Sequence, residues 1–290
     1  MSQELLEACE NYHLRFKAGT DTCQGIGAAI CENLAAKGCN LILNYTSASS
    51  EARTHKLAET LNRTQKIKTL VVQADMGSES GPAYVVETVK AHFAELNSGK
   101  FQIDIIVNNA GVSVNRRIED CDCTDFAFQY NINVRGPLLL MQAALPYLPH
   151  DRSGRIINMS SVSSSLGFIE QSVYGGTKAA LEAMTRTWAR ELAERATVNA
   201  VNPGPVATDM YSGTTPEFQT RMANFIRTAP LMKERAGLDP QEFVDDAPNS
   251  GGRPGYDYEV AGCVGMLCTA ESAWCTGSVV CANGGMRFSP

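Results

Sequence analysis

Short runs of β-branched and other apolar residues alternate with stretches of helical period, and this alternation constrains the fold of the chain more than any other feature. The apolar residues from Leu181 to Leu192 recur at steps of three and four, which predicts a helix with one buried face. Repeated strand–helix alternation predicts an α/β fold built on a doubly wound parallel sheet, with ligands at the carboxyl ends of its strands. The expected buried strands are residues 40–45, 68–74, 103–111, 155–161, 197–204 and 277–285.

The domain organisation follows from the length of the chain and from the extent of this pattern. A chain of 290 residues is long enough for one large α/β domain. We therefore predict one domain over residues 1–290, in which residues 205–259 cover a substrate pocket. Within that covering region, residues 232–259 are rich in Gly, Pro and Asp and are expected to form a long loop with one helical turn.

The covering region also contains apolar side chains that allow two interpretations. They either form an apolar pocket wall, which suits aromatic or polyketide-like ketones, or they pack a helix against the core. These side chains are Met210, Tyr211, Phe218, Met222, Phe225 and Ile226.

The N-terminal segment, residues 1–19, fits the scheme least well. Between Leu14 and Ala18, apolar residues alternate with Arg15 and Lys17. A central strand that is buried on both faces is apolar throughout, whereas alternation is typical of a strand with one exposed face. We therefore expect an atypical first strand that is half exposed.

Charge and cysteine usage exclude several classes of partner. The net charge is −6 and the basic residues form no run, so we expect no nucleic-acid partner. The sequence has neither a signal-peptide pattern nor an apolar run of about 18 residues, so we expect no membrane partner and a cytoplasmic location. The ten cysteines include no C-x-x-C pair and the four histidines show no ligand spacing, so no metal site is expected.

The strongest chemical signal lies in Ser161, Tyr174 and Lys178. Lys178 follows Tyr174 by four residues, so both side chains share one face if a helix begins near Tyr174. The unperturbed pKa of tyrosine is near ~10, and an adjacent ammonium is expected to stabilise the phenolate and lower that pKa toward the working range. Ser161, at the end of the preceding strand, can hydrogen-bond a carbonyl oxygen. The spacing Y-x-x-x-K alone is common and otherwise marks an ordinary helix start.

Three further segments carry weaker signals at predicted strand ends. Residues 107–111, "VNNAG", are small enough to let a nucleotide approach the backbone. Asn133 sits in a predicted helix and can hold a water molecule there. Residues 202–210, "NPGPVATDM", form a turn and offer the Thr208 hydroxyl. Each segment alone is also explained by residues that only shape a loop. Their common location, however, indicates a ligand site at one edge of the sheet.

These motifs, in this order, resemble those of the short-chain dehydrogenase/reductase family over about residues 20–288. The resemblance is greatest to reductases of 3-oxoacyl chains and of fungal polyketide and naphthol intermediates, and it implies a Rossmann-type fold. It also implies a catalytic tetrad of Asn133, Ser161, Tyr174 and Lys178. In the family, Tyr is the general acid, Lys lowers its pKa and binds the nicotinamide ribose, Ser positions the carbonyl, and Asn anchors a proton-relay water.

The resemblance further implies a nicotinamide cofactor. The family's glycine-rich turn aligns with residues 20–27, where Asp21 replaces the first glycine. A carboxylate there repels the pyrophosphate that a helix N-terminus otherwise attracts. The implied cofactor-binding residues are Thr20, Gly25, Ile26, Gly27, Asn44, Tyr45, Ser47, Asp75, Met76, Asn109, Ala110, Gly111, Tyr174, Lys178, Pro203, Gly204, Val206 and Thr208.

The end of the second predicted strand bears on the choice of nicotinamide. An acid at this place holds the ribose 2′-hydroxyl of NADH, but residues 44–47, "NYTS", contain none. We therefore expect NADPH (NADP+) to be preferred over NADH. Gln24 weakens this expectation, because it stands at a position where NADP-preferring relatives often have a basic residue.

Two classes of function remain open at this point. The first is NADPH-dependent reduction of a ketone, or the reverse alcohol oxidation, on a small apolar or polyketide-like substrate. The alternative is a non-catalytic or weakly active binding or scaffold protein impaired at Asp21, and a dehydratase or cyclase that uses NADP structurally is a third option. The resemblance also implies a homodimer or homotetramer, paired through helices near residues 124–147 and 174–195.

Overall fold

The computed structural model describes residues 14–18, 24–96 and 101–288, of which 14–18 and 94–96 are described by their backbone. In these ranges seven parallel strands form one sheet in the order β3-β2-β1-β4-β5-β6-β7. This order confirms the predicted doubly wound parallel sheet. The strands are β1 Leu14–Ala18, β2 Asn40–Tyr45, β3 Thr69–Gln73, β4 Ile103–Asn108, β5 Gly154–Met159, β6 Ala196–Pro203 and β7 Val279–Ala282.

Helices connect the strands and cover both faces of the sheet. The α-helices are α1 Gly25–Ala35, α2 Ala48–Gln65, α3 Gly81–Leu96, α4 Cys123–Tyr130, α5 Gly136–Ala144, α6 Ser163–Leu166, α7 Ser172–Glu191, α8 Asp209–Ser212, α9 Pro216–Ile226, α10 Gln241–Ser250 and α11 Asp257–Leu267. A π-helical turn, Asn131–Arg135, joins α4 to α5. Short 3₁₀ turns span Ile118–Asp120, Leu145–Tyr147, Pro230–Met232 and Ala270–Ser272.

The apolar strands have a core on each face. Along β4, Ile106 belongs to one core cluster, while Ile105 and Val107 belong to the other, because successive side chains point to opposite faces. The first cluster includes residues of α3, α5 and α7, and the second includes residues of α1 and α11. The two faces are therefore buried, as near-continuous apolar strands predict.

The first strand lies inside the sheet. β1 pairs with β2 on one side and with β4 on the other, so neither of its edges is a sheet edge; the exposure of its side chains lies outside what the structure describes, and the half-exposed face stays a prediction. The register joins Phe16 to Ile42 and to Ile106. Backbone hydrogen bonds on both edges place this strand, and a pattern of side chains does not report them.

The segment 232–259 is not the predicted long loop. It contains the ten-residue helix α10, whose C-cap residue Gly251 has φ +82°, and it also contains the start of α11. A side chain at Gly251 would bring its Cβ within 2.2 Å of the Ala223 carbonyl oxygen, so the turn requires glycine. Helix α10 escaped prediction because Ala247 is its buried residue and Pro248 lies inside it, which weakens the apolar period.

Within the described ranges, each helix is too short or too polar to span a bilayer.

Candidate active site

A cavity of about 730 Å³ opens at the carboxyl ends of β4, β5 and β6. It is lined by Asn109 after β4, Ser161 after β5 and Gly204 after β6. Parallel strands of a doubly wound sheet end on the same side, which brings these distant segments to one edge. The cavity therefore opens at the edge of the sheet where the sequence analysis expects a ligand site.

The cavity brings Ser161, Tyr174 and Lys178 together. Tyr174 and Lys178 both lie on α7, are 9% and 4% exposed, and face the cavity with Ser161. The Lys178 Nζ atom donates a 2.7 Å hydrogen bond to the Met159 carbonyl oxygen and lies 5.7 Å from the centre of the Tyr174 ring. A Cβ at Gly111 would lie 3.2 Å from Nζ, so the glycine makes room for the ammonium.

Burial dominates the pKa values of this group. Desolvation raises the pKa of Tyr174 to about 12, and a hydrogen bond with Ser161 acts in the opposite direction. Desolvation lowers the pKa of Lys178 to about 8. Burial thus raises the phenol pKa instead of lowering it toward neutrality, and the stabilisation of the phenolate by the Lys178 charge stays a prediction. At neutral pH the phenol keeps its proton and can donate it.

Asn133 lies behind the cavity rather than in its wall. It is fully buried in the π-helical turn, a feature that is frequent at functional sites. Its Oδ1 accepts from the Val112 amide at 2.9 Å, and its Nδ2 donates to the Val112 carbonyl at 2.9 Å and to Thr177 Oγ1 at 3.0 Å. The side chain therefore fixes the loop after β4 against α7, and its role in holding a water stays a prediction.

A buried chain of hydrogen bonds stiffens the floor of the site. Asn108 Nδ2 donates to Asn158 Oδ1 at 2.7 Å, and Asn158 Nδ2 donates to Thr185 Oγ1 at 2.8 Å. These contacts join β4, β5 and α7, and β4 and β5 end at the cavity. Because each buried polar group is paired, the three elements are held in one geometry.

The start of α1 has the features of an anion site. Gly25 has φ +56°, and a Cβ there would lie 2.9 Å from Thr208 Cγ2, so the turn leaves space that a side chain would fill. The N-cap residue Gln24 makes no side-chain cap hydrogen bond, and the first turn carries no acid. A helix N-terminus of this kind suits a pyrophosphate. Thr20 and Asp21 lie outside the described residues.

Most of the expected cofactor-binding residues line a cavity. Gly25, Ile26, Gly27, Asn109, Gly111, Tyr174, Lys178, Pro203, Gly204, Val206 and Thr208 line the first one. Ser47 and Asp75 line a second cavity of about 440 Å³. The small residues at the strand ends and the two adjacent cavities together fit an extended dinucleotide.

Four of the expected cofactor contacts stay predictions, because their residues lie outside both cavity linings. Asn44, Tyr45, Met76 and Ala110 are buried and line neither cavity. Asn44 Nδ2 donates to the Val72 carbonyl at 3.1 Å and the Ala74 carbonyl at 3.0 Å, which holds the end of β3. Asn44 and Tyr45 are consecutive and point to opposite faces of the sheet, and both are buried because helices cover each face.

The covering region contributes an apolar wall in part. Met210, Tyr211, Phe218 and Met222 line the cavity, as one of the two interpretations predicts. Phe225 instead packs edge-on against Phe168. Ile226 is buried in a third, smaller hydrophobic cluster together with Ala229 and Met232.

Several polar residues of the site carried no signal in the sequence. Arg53 of α2 hydrogen-bonds the Gln24 side chain, whose Nε2 donates to Asp209 Oδ2 at 2.8 Å. Arg53 lies three and four residues after Ser50 and Ser49, a helical spacing that could have indicated a shared face. Ser113, Asn115 and Gln171 line the cavity from loops that are distant in sequence, so no local pattern reveals them.

Comparison with known proteins agrees with this geometry. The family model for short chain dehydrogenases matches residues 20–218. L-xylulose reductase of Aspergillus niger is 52% identical over 95% of this chain and 98% of that protein, and L-xylo-3-hexulose reductase of Hypocrea jecorina is 49% identical over 93% and 95%. Among solved structures, a blue fluorescent protein from a metagenomic library in complex with NADPH superposes with a TM-score of 0.77 and 29% identity, over 94% of this chain and 98% of that one. The chain therefore belongs to the short-chain dehydrogenase/reductase family and is an NAD(P)-dependent oxidoreductase.

Proposed function

We propose that this protein reduces the carbonyl group of a ketose with NADPH, using Ser161, Tyr174 and Lys178. The observation that carries the proposal is the buried, protonated Tyr174 beside Ser161 and Lys178 in a cavity at the sheet edge. Two relatives that are about half identical in sequence are named as reductases of L-xylulose and L-xylo-3-hexulose. Together with Ser113, Asn115 and Gln171 in the cavity wall, they favour a sugar ketone over the apolar or polyketide-like substrate expected from the covering region.

The side chains of the site have distinct parts in this reaction. When bound, the nicotinamide cofactor supplies the hydride. Tyr174 gives its proton to the carbonyl oxygen, and Ser161 donates a hydrogen bond to the same oxygen. The Lys178 ammonium, 5.7 Å from the phenol ring, stabilises the phenolate that remains. Asn133 keeps the loop after β4 in place. We also propose that it holds the water molecule that relays a proton.

The preference for NADPH rests on Ser47 and Ser50, which line the second cavity, and on residues that neighbour them on α2. Ser47 Oγ lies 2.8 Å from Ser49 Oγ and 3.2 Å from Ser50 Oγ, and Arg53 follows on the same helix. Hydroxyl groups and a guanidinium are suited to the 2′-phosphate that distinguishes NADPH from NADH. We therefore add Arg53 to the residues that select the cofactor.

The experiment is a steady-state assay of the purified protein with L-xylulose and L-xylo-3-hexulose, with NADPH oxidation followed by absorbance. We expect turnover with at least one ketose and a higher kcat/KM with NADPH than with NADH. The scaffold alternative predicts cofactor binding without turnover. Oxidation of NADPH by neither ketose overturns the proposed substrate class.

We also infer that the protein is a cytoplasmic homodimer or homotetramer. Phe126, Leu138 and Leu145 are exposed apolar side chains on or beside α4 and α5, which together with α7 are the helices expected to pair. Light scattering after size-exclusion chromatography measures the assembly, and a monomer contradicts this inference. Fractionation of cells that express a tagged chain tests the location.

A further inference from the structure

We infer that Gln171 and Asn115 form a subsite that recognises hydroxyl groups of the substrate, so that they select a polyhydroxy ketone over a simple ketone. The inference rests on the proposed function and deepens it. Gln171 is the N-cap residue of α7 and precedes Tyr174 by three residues, so it lies one helical turn from the proton donor. Both Gln171 and Asn115 line the first cavity.

The two carboxamides belong to one hydrogen-bonded cluster. Asn115 Oδ1 accepts from Ser113 Oγ at 2.9 Å and from Gln171 Nε2 at 3.3 Å. These bonds fix the Asn115 oxygen toward Ser113 and Gln171. The Asn115 Nδ2 group makes no hydrogen bond within the described part of the chain.

The carboxamide oxygen of Gln171 lacks a hydrogen-bond partner. Gln171 is 9% exposed, and its Oε1 has no hydrogen-bond partner among the described residues. A buried acceptor without a partner destabilises the fold, and such groups are rare in native proteins. Because Gln171 lines the cavity, a ligand that turns its carboxamide toward the cavity can supply the missing donor.

The backbone beside Gln171 is strained in a way that holds this side chain in place. Glu170 has φ +74°, the left-handed region that costs a non-glycine residue free energy. Its carboxylate accepts a 2.6 Å hydrogen bond from Arg221 of α9, and its carbonyl accepts from the Arg116 amide at 2.9 Å. Helix α9 and the loop after β4 therefore both hydrogen-bond to Glu170, the residue before Gln171. Strain that is held from two sides is typical of functional sites.

A hydroxyl group is the ligand chemistry that fits. It donates one hydrogen bond and accepts others, so it can donate to Gln171 Oε1 and accept from Asn115 Nδ2. A ketose carries such hydroxyls beside its carbonyl, whereas a simple ketone leaves Gln171 Oε1 and Asn115 Nδ2 without a partner. Sites that are built to bond a hydroxyl reject analogues without it strongly.

The test replaces the carboxamide by an apolar group of similar size. Gln171→Leu is compared with the parent for reduction of L-xylulose and of 2-pentanone, which has the same number of carbon atoms and no hydroxyl. The matched control is Gln102→Leu, the same exchange at a partly buried glutamine that bonds Asp104 at the opposite edge of the sheet. We expect kcat/KM for L-xylulose to fall about tenfold in Gln171→Leu, with 2-pentanone and the control variant nearly unchanged.

Two further readouts do not depend on turnover. The Kd of L-xylulose, measured by calorimetry in the Tyr174→Phe background with NADP+ present, is expected to rise about tenfold when Gln171→Leu is added. The melting temperature of Gln171→Leu is expected to stay level or rise, because the unpaired oxygen is removed. A purely structural glutamine would instead lower it.

The outcomes separate the inference from the proposed function. An equal loss for both ketones, or no loss in kcat/KM and in affinity for L-xylulose, overturns the subsite while the reductase assignment stands. A parent protein that reduces and binds neither L-xylulose nor L-xylo-3-hexulose overturns the ketose assignment, and the ligand class of the subsite with it.

Discussion

Lys178→Met is expected to change how the stability of the protein depends on pH. Burial lowers the pKa of Lys178 to about 8, so the folded chain holds this proton less tightly than the unfolded chain does. Stability therefore rises with pH between the folded and the unfolded pKa, because the unfolded state binds more protons there.

The magnitude follows from these two pKa values. With a folded pKa of about 8 against 10.5, keeping the ammonium in the site costs about 3 kcal/mol at pH 7 and about 2 kcal/mol at pH 9. Methionine carries no charge and has no such cost. It also leaves the Met159 carbonyl oxygen without its 2.7 Å donor, a loss of about 1–3 kcal/mol that does not vary with pH.

The assay is urea unfolding of the cofactor-free parent and variant at pH 7 and pH 9. The stability of Lys178→Met relative to the parent should fall by about 1 kcal/mol between these two pH values. Lys56→Met, at an exposed position of α2, is the matched control and should show no such trend. A relative stability that is constant, or that rises with pH, would refute the desolvation of Lys178.

Three further predictions concern other parts of the account. Arg53→Leu should raise the Kd of NADPH about tenfold and that of NADH much less, measured by cofactor fluorescence, and equal losses would remove Arg53 from the phosphate site. Asn158→Leu should lower the free energy of unfolding by about 1–3 kcal/mol in urea, because Asn108 loses its acceptor; an unchanged midpoint would show that the buried chain adds no stability. Asp21→Gly, argued from the sequence, should tighten NADPH binding more at low salt than at high salt, and identical affinities would show that the carboxylate does not act on the phosphates.

The sheet was predictable because its apolar runs are continuous. β2 spans the predicted residues 40–45, whereas β4 ends at Asn108 and not at 111. Asn109 and Gly111 lie beyond the end of the strand and line the cavity. β7 is shorter than predicted, since Gly277 and Gly284 have φ +71° and +64° and cannot continue a strand. Boundaries thus depend on backbone turns that apolar patterning does not record.

The site was predictable where its residues are close in sequence or follow strand ends. The four-residue spacing of Tyr174 and Lys178 survives in the structure as a shared face of α7. Gln171 and Asn115 are 56 residues apart and meet only through the tertiary fold. The pKa of Tyr174 was expected to fall and is instead raised, because the degree of burial is a property of the packed site.

The central claim is that the buried phenol of Tyr174 protonates a ketone. Rates of NADPH oxidation with L-xylulose, measured side by side for the parent and Tyr174→Phe, test it most directly. We predict a fall in kcat of about 10²–10⁴-fold, with the Kd of NADPH changed by no more than a few fold. A variant that keeps more than about a tenth of the parent's turnover would contradict the assignment of Tyr174 as the proton donor.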